Sequence, residues 1–305
     1  MTQPLKLGTR GSPLALVQAN MVREALCAAH GWDRAAVEIV TIRTTGDRRQ
    51  DVALAEIGGK ALWTKELDRA LLAGEIDFAV HSMKDVETGR PDTITIAAML
   101  PRADVRDRII GADSVAALRD GAVVGTSSPR RVAQVKRLRP DLVTILLRGN
   151  VDTRLAKVTA GEVDATLLAA AGLERLGRIE VGSCIPIDVM LPAPAQGAVG
   201  IEARTADERV RTLLGAIDHA PTHACVLLER GLLAVLQADC HSPVAALATL
   251  DGTAVTLRGE LFAEDGSAHV AGTVRGAIDD PTLAARLAED LLDRAPPPVR
   301  ALFAG

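Results

Sequence analysis

The sequence predicts an α/β protein with two similar βα lobes around a cleft, followed by a small α+β C-terminal domain. Three observations support this fold class: apolar, β-branched runs alternate with amphipathic stretches, one motif occurs twice, and the pattern changes from His219 onward. The chain has 305 residues, which is enough for two or three domains. It is 48% hydrophobic and 24% charged, so it can form buried cores beneath a polar surface.

The alternation predicts buried strands that are joined by helices. The predicted strands cover residues 37–42, 76–80, 93–99, 122–125, 143–147 and 165–169. The predicted helices between them cover residues 14–29, 64–73 and 130–138. Such βα units form mostly parallel sheets, and ligands bind at the carboxyl ends of their strands.

The segments GTRGSPLAL (8–16) and GTSSPRRVA (125–133) share one plan: Gly-Thr, a short polar turn, Ser-Pro and a helix. In each, Ser is expected to cap the helix and Pro to occupy its first position. The N-terminus of a helix presents free N–H groups and a positive dipole end, which attract anions. One such turn is most simply a helix cap, whereas a matched pair favours two anion-binding lobes.

Two segments with Pro and acidic residues are predicted to join the domains, LPRADVRD (100–107) and LPAPAQGAVGIEA (191–203). The second reads as a return crossing to the first lobe. We expect lobe 1 to comprise residues 1–99 and 197–216, lobe 2 residues 104–192, and the C-terminal domain residues 219–305.

The C-terminal domain is predicted to begin with a helix and to continue with short alternating segments and a second helix. The predicted elements are the helix 222–236, the segments 253–261 and 269–274, and a helix near 281–292. The end of the chain, APPPVRALFAG, is predicted to be a frayed tail.

Composition argues against several classes of function. The net charge is −4 and no basic block is present, which argues against nucleic acid as the main partner. No signal peptide and no apolar run long enough to span a bilayer are recognisable, so a cytoplasmic protein is expected. The four cysteines form no CxxC pair, so we expect neither a disulfide framework nor a metal site.

One cysteine differs from the other three in its setting. Cys27, Cys184 and Cys225 are interpreted as core residues. Cys240 instead lies in QADCHSP (237–243), a polar turn after an apolar helix. From the residues alone it could be a spare core residue, a metal ligand, a nucleophile or an attachment point.

Basic residues cluster at strand ends and at the two anion turns. Arg10 lies in the first turn, Arg130 and Arg131 open the second, and Arg148 follows the strand at 143–147. Guanidinium groups bind carboxylates and phosphates in a bidentate manner. Neither GxxxxGK[ST] nor GxGxxG is present, so nucleotide binding is not supported. The implied ligand is a polyanion rich in carboxylates.

Further polar residues extend this candidate site. Asn150 or Asp152 is expected to cap the helix that carries Arg154. Lys60, in a GGK loop, adds another anion contact. In VHSMKDVETGRP (80–91), four polar side chains follow a predicted strand, which is where parallel sheets bind ligands: His81, Ser82, Lys84 and Asp85.

Eight motifs occur in the order found in the porphobilinogen deaminases, also named hydroxymethylbilane synthases, and together they cover nearly the whole chain. They are GTRGSPLAL, GGKALWTKEL, AVHSMKD, GTSSPRR, LLRGNVDTRL, AAAGLERLG, PAQGAVGIE and a stretch with Glu229, Arg230, Cys240 and Pro243. The sequence therefore resembles this family.

The resemblance implies a fold, a reaction and a cofactor. The two βα lobes would be similar to those of type II periplasmic binding proteins. The enzyme would be a monomer that condenses four porphobilinogen molecules head to tail, with release of ammonia, into the linear tetrapyrrole hydroxymethylbilane. The chain would grow on a dipyrromethane cofactor, attached to Cys240 as a thioether.

The resemblance also implies roles for individual residues. The catalytic group would comprise Asp85, Lys84 and Arg10. The cofactor-binding residues would be Cys240, Lys84, Asp85, Ser127, Ser128, Arg130, Arg131 and Ser12. The substrate-binding residues would be Arg10, Lys60, Arg148, Arg154, Arg175, Gln196 and Trp63, of which Trp63 stands where the family often has Phe.

The sequence departs from the family pattern near three of its motifs. Ala238 and Asp239 replace a Gly and a small residue before the cysteine, and Ser242 replaces a β-branched residue. Ala195 replaces the usual Gly of PAQGA, and Glu87 the usual Pro after HSMKD. None of these changes removes a side chain to which the resemblance gives a role.

Two alternatives to the enzyme stay open. The chain could be a carboxylate-binding protein with two lobes, or a paralogue that has lost its cofactor. The missing signal peptide weighs against a periplasmic binder. Cys240 together with Asp85 favours the enzyme, because a binding protein needs neither.

Overall fold

The structure is a computed structural model and describes residues 4–43 and 64–303. The strands in these residues are β1 (Leu5–Arg10), β2 (Val37–Ile42), β3 (Phe78–Ser82), β4 (Ile94–Met99), β5 (Asp107–Ile110), β6 (Val123–Thr126), β7 (Val143–Leu146), β8 (Ala165–Ala169), β9 (Ser183–Cys184), β10 (Val199–Arg204), β11 (Val244–Asp251), β12 (Ala254–Phe262) and β13 (His269–Ala277). The α-helices are α1 (Pro13–His30), α2 (Lys65–Leu72), α3 (Pro129–Leu138), α4 (Val151–Thr159), α5 (Ala170–Arg175), α6 (Glu208–Gly215), α7 (Ala220–Val235), α8 (Leu283–Arg294) and α9 (Pro297–Arg300).

Two five-stranded sheets have matching strand orders, β2-β1-β3-β10-β4 and β7-β6-β8-β5-β9. In each sheet the first three strands are parallel, and the fourth runs antiparallel to both of its neighbours. The odd strand of the first sheet, β10, lies mostly within the predicted joining segment 191–203, and that of the second, β5, begins at the last residue of the segment 100–107. The predicted α/β class, with two βα lobes and a small C-terminal α+β region, is confirmed.

The two Ser-Pro turns cap helices as the sequence predicts. The Ser12 hydroxyl accepts a hydrogen bond from Ala15 N at 3.3 Å, and the Ser128 hydroxyl accepts one from Arg131 N at 3.4 Å. In both helices Pro occupies the first turn. Each cap satisfies one of the N–H groups that a helix start leaves without an intrahelical partner.

The glycines of the two Gly-Thr motifs permit close packing in the sheets. A Cβ atom on Gly8 would lie 2.2 Å from Ile76 Cδ1, and one on Gly125 would lie 2.7 Å from Leu147 Cδ2. Larger residues would therefore displace a packed apolar side chain beside the strand.

The first lobe is held together by α1 on its sheet. Ala15, Ala19, Val22 and Leu26 are buried at helical spacing on one face of α1. Leu26 belongs to the same core cluster as Phe78 of β3.

Contacts divide the chain into two compact units. The first comprises Met1–Ala103 and Gly197–His223, and the second comprises Asp104–Gln196 and Ala224–Gly305. The first unit contains one five-stranded sheet, and the second contains the other together with the antiparallel sheet β11-β12-β13. The finer division into three domains stays a prediction.

The C-terminal region has its own core between its sheet and its helices, and the end of the chain is part of it. Val299 of α9 is fully buried and Phe303 is 6% exposed, both in the cluster with Leu287 and Leu291 of α8. The prediction of a frayed tail is therefore wrong for residues 297–303. The cause is the apolar spacing in PVRALF, which buries two side chains that a composition-based argument overlooks.

None of the helices in residues 4–43 and 64–303 combines the length and the apolar character needed to cross a membrane.

Candidate active site

A pocket in the first unit lies at the carboxyl ends of β1 and β3. Its lining includes Arg10, Ser12, His81, Ser82 and Asp85. Arg10 is the last residue of β1, and Ser12 caps the helix that follows. Because β1 and β3 are adjacent parallel strands, their carboxyl ends bring these side chains together. The pocket combines a guanidinium group, a helix N-terminus and a carboxylate.

The buried side chain of Met83 anchors the turn that contains Lys84 and Asp85. Residues Met83–Asp85 form one 3-10 turn after β3. Met83 is fully buried and its N–H donates to Ala198 O at 3.1 Å. A Cβ atom on Gly200 would lie 2.0 Å from Met83 Sδ, so this anchor depends on a glycine in β10. Lys84 and Asp85 are both half-buried.

Gln18 is a pocket residue that the sequence analysis missed. It lies on the buried face of α1 and is 2% exposed. Its Nε2 donates to Ser82 Oγ at 2.8 Å, which ties α1 to the end of β3. The available signal was a polar residue between Ala15 and Ala19 on an otherwise apolar helix face.

The second unit contains a buried cluster of charges around Asp107, the first residue of β5. Arg131 Nη2 donates to Asp107 Oδ1 at 2.7 Å, and Arg130 Nη1 lies 2.8 Å from Oδ2. Gln196 Nε2 donates to Oδ1 at 2.9 Å. Burial opposes ionisation of Asp107, but the two guanidinium groups outweigh it and hold the pKa of this carboxyl well below its ordinary value.

Asp107 was not among the predicted site residues. Its sequence signal is weak, because an acid within LPRADVRD reads as part of a solvated joint. In the structure it is 1% exposed and brings together three predicted residues, Arg130, Arg131 and Gln196.

Arg154 and Ser127 are also brought together. Arg154 Nη2 donates to Ser127 Oγ at 3.1 Å, and its Nε donates to Gly149 O at 3.0 Å. Asn150 caps α4 by accepting a hydrogen bond from Thr153 N at 2.9 Å, so it is the cap among the two predicted candidates.

Arg148 and Arg175 lie in the same unit, the first after a strand and the second at the end of a helix. Arg148 lies half-buried two residues after β7. Arg175 is the last residue of α5, and burial lowers the pKa of its guanidinium group. Lys60 and Trp63 lie outside the described residues.

Cys240 lies on a turn that begins with a strained residue. Gln237 has φ +52°, and its N–H donates to Ala234 O while Ala238 N donates to Leu233 O. These bonds form a Schellman motif that ends α7 and turns the chain toward Cys240. The cysteine is exposed, and its Sγ lies 3.5 Å from His241 Nδ1.

Asp239 organises the same turn. Its Oδ1 accepts a hydrogen bond from His241 N at 2.8 Å, and its backbone N–H donates to Ser242 Oγ at 3.1 Å. Asp239 and the Cys240 sulfur raise the pKa of His241 to about 10. Two of the three residues that depart from the family pattern here, Asp239 and Ser242, therefore bond to each other.

The fold and the charges define a protein with two βα lobes that carry guanidinium groups at strand and helix ends, and with an exposed thiol on its C-terminal region. Residues 5–212 match the family described as porphobilinogen deaminase, dipyromethane cofactor binding domain. Residues 223–293 match the porphobilinogen deaminase C-terminal domain. The chain belongs to the porphobilinogen deaminase family.

Two relatives of known name support this membership. The porphobilinogen deaminase of Sphingopyxis alaskensis is 59% identical over an alignment of 307 positions, which covers 99% of this chain and 97% of the relative. The porphobilinogen deaminase of Paracoccus denitrificans is 49% identical over an alignment of 297 positions, which covers 96% of this chain and 95% of the relative.

Solved structures with a similar outline are more distant. The periplasmic VFT2 domain of Bordetella pertussis BvgS has a TM-score of 0.40 and 15% identity, over 70% of this chain and 86% of that one. The second substrate-binding domain of a protein described as an amino acid ABC transporter, from Streptococcus pneumoniae, has a TM-score of 0.43 and 11% identity, over 70% of this chain and 90% of that one.

The residues of the second unit fit a dipyrromethane group. Such a group carries carboxylates and needs both hydrogen-bond donors and a reactive sulfur. The Nε atoms of Arg130 and Arg131 are buried and have no hydrogen-bond partner among the described residues. The exposed thiol of Cys240 is accessible for a thioether bond.

Proposed function

We propose that this chain carries out its family's reaction with Asp85 as the catalytic carboxylate and Cys240 as the cofactor anchor. The reaction condenses four porphobilinogen molecules head to tail, releases ammonia and yields the linear tetrapyrrole hydroxymethylbilane. The chain is a transferase of tetrapyrrole biosynthesis that uses a dipyrromethane cofactor. When bound, the cofactor supplies the pyrrole on which the product grows.

One observation carries the proposal: Asp85 and Arg10 line the same pocket at the ends of β1 and β3. Porphobilinogen has carboxylate side chains on a pyrrole ring. Arg10 and the start of α1 bind a carboxylate of the substrate. Asp85 then accepts a hydrogen bond from the pyrrole N–H and stabilises the positive charge that develops on the ring as ammonia leaves. Lys84, the next residue along the turn, binds a second carboxylate.

The second unit provides groups for a product whose carboxylates increase with every ring. In this unit Arg130 and Arg131 with Ser127 and Ser128 bind the cofactor, and the family resemblance gives the same role to Ser12, Lys84 and Asp85. The substrate and the growing chain are bound by the remaining predicted residues, Lys60, Trp63, Arg148, Arg154, Arg175 and Gln196. The support for this assignment is that Arg130 and Arg131 lie in the first turn of α3 and that Arg148 follows the end of β7, all in one unit.

Cys240 forms the thioether because a thiolate is the protein side chain best suited to capture an electron-poor methylene carbon. An exposed thiol also favours a reducing compartment, which supports a cytoplasmic location. We further propose that the enzyme is a monomer with the three predicted domains. Light scattering on a gel-filtration column tests the monomer directly.

The intact mass of freshly purified protein tests the anchor. We expect an added mass of two porphobilinogen units less two ammonias, and we expect the Cys240→Ser variant to lack it. Cys184→Ser is the matched control, because it removes a half-exposed thiol and should keep the added mass. A bare polypeptide mass that persists after incubation with porphobilinogen would contradict the proposal and favour a paralogue without cofactor.

Ammonia release tests the catalytic assignment. Asp85→Asn keeps the size of the side chain but loses the charge, so turnover should fall by about a hundredfold or more. The control is Asp92→Asn, an exposed acid seven residues on, which should leave turnover unchanged. A D85N variant with normal turnover would remove Asp85 from the mechanism.

A further inference from the structure

Glu202 is a buried carboxylate in the middle of the first sheet. It lies on β10 opposite Ala79 of β3 and is fully buried. Arg90 donates to it in a bidentate manner, from Nε to Oε1 at 2.8 Å and from Nη2 to Oε2 at 2.8 Å. His81 Nε2 lies 3.2 Å from the same Oε2. One carboxylate therefore contacts two basic side chains.

The two partners of Glu202 are the two ends of one segment. His81 precedes the turn that carries Lys84 and Asp85, and Arg90 follows it. Between them the chain leaves β3, forms the 3-10 turn and bends back. Glu202 thus fixes both the entry and the exit of the segment 81–90, which we name the Asp85 segment.

Arg90 also joins this segment to α2. Its Nη1 and Nη2 donate to both oxygens of Asp68, at 3.0 and 2.6 Å. Its Nη1 donates to Glu87 Oε2 at 3.1 Å, and Thr64 Oγ1 donates to the same oxygen at 2.7 Å. Glu87 occupies the position where the family usually has Pro, so this contact belongs to the present sequence and not to the family pattern.

The charge states of Glu202 and Arg90 favour a strong interaction between them. Burial opposes ionisation of Glu202, but His81 and Arg90 lower its pKa to about 2. Burial also disfavours the charged form of Arg90, but Asp68 and Glu202 raise its pKa above the ordinary value. Paired charges that are removed from water hold their geometry better than exposed pairs, which solvent and salt weaken.

We infer that Glu202 and Arg90 are positioning residues that hold Asp85 in its catalytic place, an inference that rests on the proposed role of Asp85. Neither residue lines the pocket. Their contacts with the Asp85 segment act at its ends, so they set where the carboxylate of Asp85 stands relative to Arg10. A displacement of about 1 Å at a catalytic group can lower a rate by about a hundredfold.

The variants Glu202→Gln, Arg90→Lys and Arg90→Met test this inference in the full chain. We expect kcat to fall by about tenfold to a hundredfold, with KM within about twofold, because the carboxylate-binding arginines are untouched. Arg90→Lys should lose less than Arg90→Met, since an ammonium can still contact one carboxylate. A change in KM with normal kcat would contradict a positioning role.

Arg204→Lys is the matched control on the same strand. Arg204 donates to Leu71 O at 2.8 Å and to Ile76 O at 2.9 Å, and it does not contact the Asp85 segment. Its replacement should lower the melting temperature but leave kcat within about twofold. An equal loss of kcat in Arg204→Lys would overturn the inference, because general destabilisation would then explain the effect.

A double-mutant comparison tests whether the Glu202 and Arg90 substitutions lower kcat through one shared interaction or independently. If Glu202 and Arg90 act as one device, the double variant E202Q/R90M should have nearly the same kcat as the worse single variant. E202Q/R204K should instead show the product of its two single effects. Additive losses in E202Q/R90M would contradict the inference.

Hydrogen exchange provides a readout without turnover. Peptides from residues 81–90 should exchange faster in E202Q than in the parent, while peptides from β11–β13 should not change. Should E202Q fail to fold, Glu87→Ala removes one contact of Arg90 and should produce a smaller increase in the same peptides. Unchanged exchange in these peptides would overturn the inference that Glu202 and Arg90 hold the Asp85 segment in place. A parent protein that releases no ammonia overturns the proposed function instead.

Discussion

Gln196 donates a hydrogen bond to Asp107 at 2.9 Å, although 89 residues separate them in the chain. Gln196 also donates to Val105 O at 2.7 Å. Arg130 and Arg131 contact the other sides of the Asp107 carboxylate. The start of β5, the first turn of α3 and the segment before β10 therefore depend on a single buried acid.

Replacing Asp107 should be costly for stability. Asp107→Asn leaves two buried guanidinium groups without their counter-charge, and we expect the free energy of unfolding to fall by about 3–5 kcal/mol. Urea denaturation measures this change. The control is Asp104→Asn, which removes an ion pair with Arg106 whose side chain is 45% exposed, and it should cost less than about 1 kcal/mol. Equal losses in the two variants would contradict the buried cluster.

The stability of the parent protein and that of the D107N variant should depend differently on pH. The folded-state pKa of Asp107 lies below its unfolded value, so its stabilising effect is present above the unfolded pKa and is lost as pH falls toward the folded one. The stability difference between the parent and D107N should be constant from pH 7 to about pH 5 and should shrink below about pH 4. A stability difference between the parent and D107N that grows as pH falls would contradict this prediction.

Gln237 offers a stabilising substitution. It is exposed and has φ +52°, a left-handed conformation that costs a residue with a Cβ atom about 1 kcal/mol or more. Gln237→Gly should therefore raise the free energy of unfolding by about 1 kcal/mol, and Gln237→Ala should leave it nearly unchanged. Thermal melts of the three proteins decide this. A more stable Ala variant would argue against strain at this position.

His241 should titrate far from the ordinary range. Asp239 and the Cys240 sulfur raise its pKa to about 10. The imidazolium form therefore stabilises the turn fully below about pH 6.5, and this effect is lost as pH rises through about 10. NMR titration of the imidazole signals in protein without cofactor measures it. Asp239→Asn should move the titration of His241 toward its ordinary value.

His269 is the internal reference for that titration. Burial, together with Arg137, lowers the pKa of His269. The two histidines should therefore titrate on opposite sides of the ordinary value. A single shared midpoint for both would contradict the contacts of the Asp239–His241 turn.

Glu229 should be a structural acid of the C-terminal region. It is fully buried on α7, and its carboxylate accepts hydrogen bonds from Ala195 N at 2.6 Å and Ala248 N at 2.8 Å. Glu229→Gln leaves one N–H group without an acceptor, so the free energy of unfolding should fall by about 1–3 kcal/mol. Glu289→Gln, at an exposed position of α8, is the control and should change the free energy of unfolding by less than about 0.5 kcal/mol. An E229Q variant with an unchanged free energy of unfolding would contradict this role.

The sequence by itself determined the features that depend on neighbours in the chain. The two Ser-Pro caps, the helical face of α1 and the Asn150 cap follow from residues within a few positions of each other. The order of eight motifs also determined the family. These signals are local or collective, so they survive without knowledge of tertiary contacts.

Only the tertiary structure decided which buried polar groups meet. Asp107 with Gln196, and Glu202 with Arg90, join segments 89 and 112 residues apart, and no local pattern links such residues. The burial of Val299 and Phe303 was decided in the same way, because it needs the surface of α8. The physical reason is common to all three. A charge or an apolar side chain is stabilised by whichever groups surround it after folding, and the sequence order does not specify those groups.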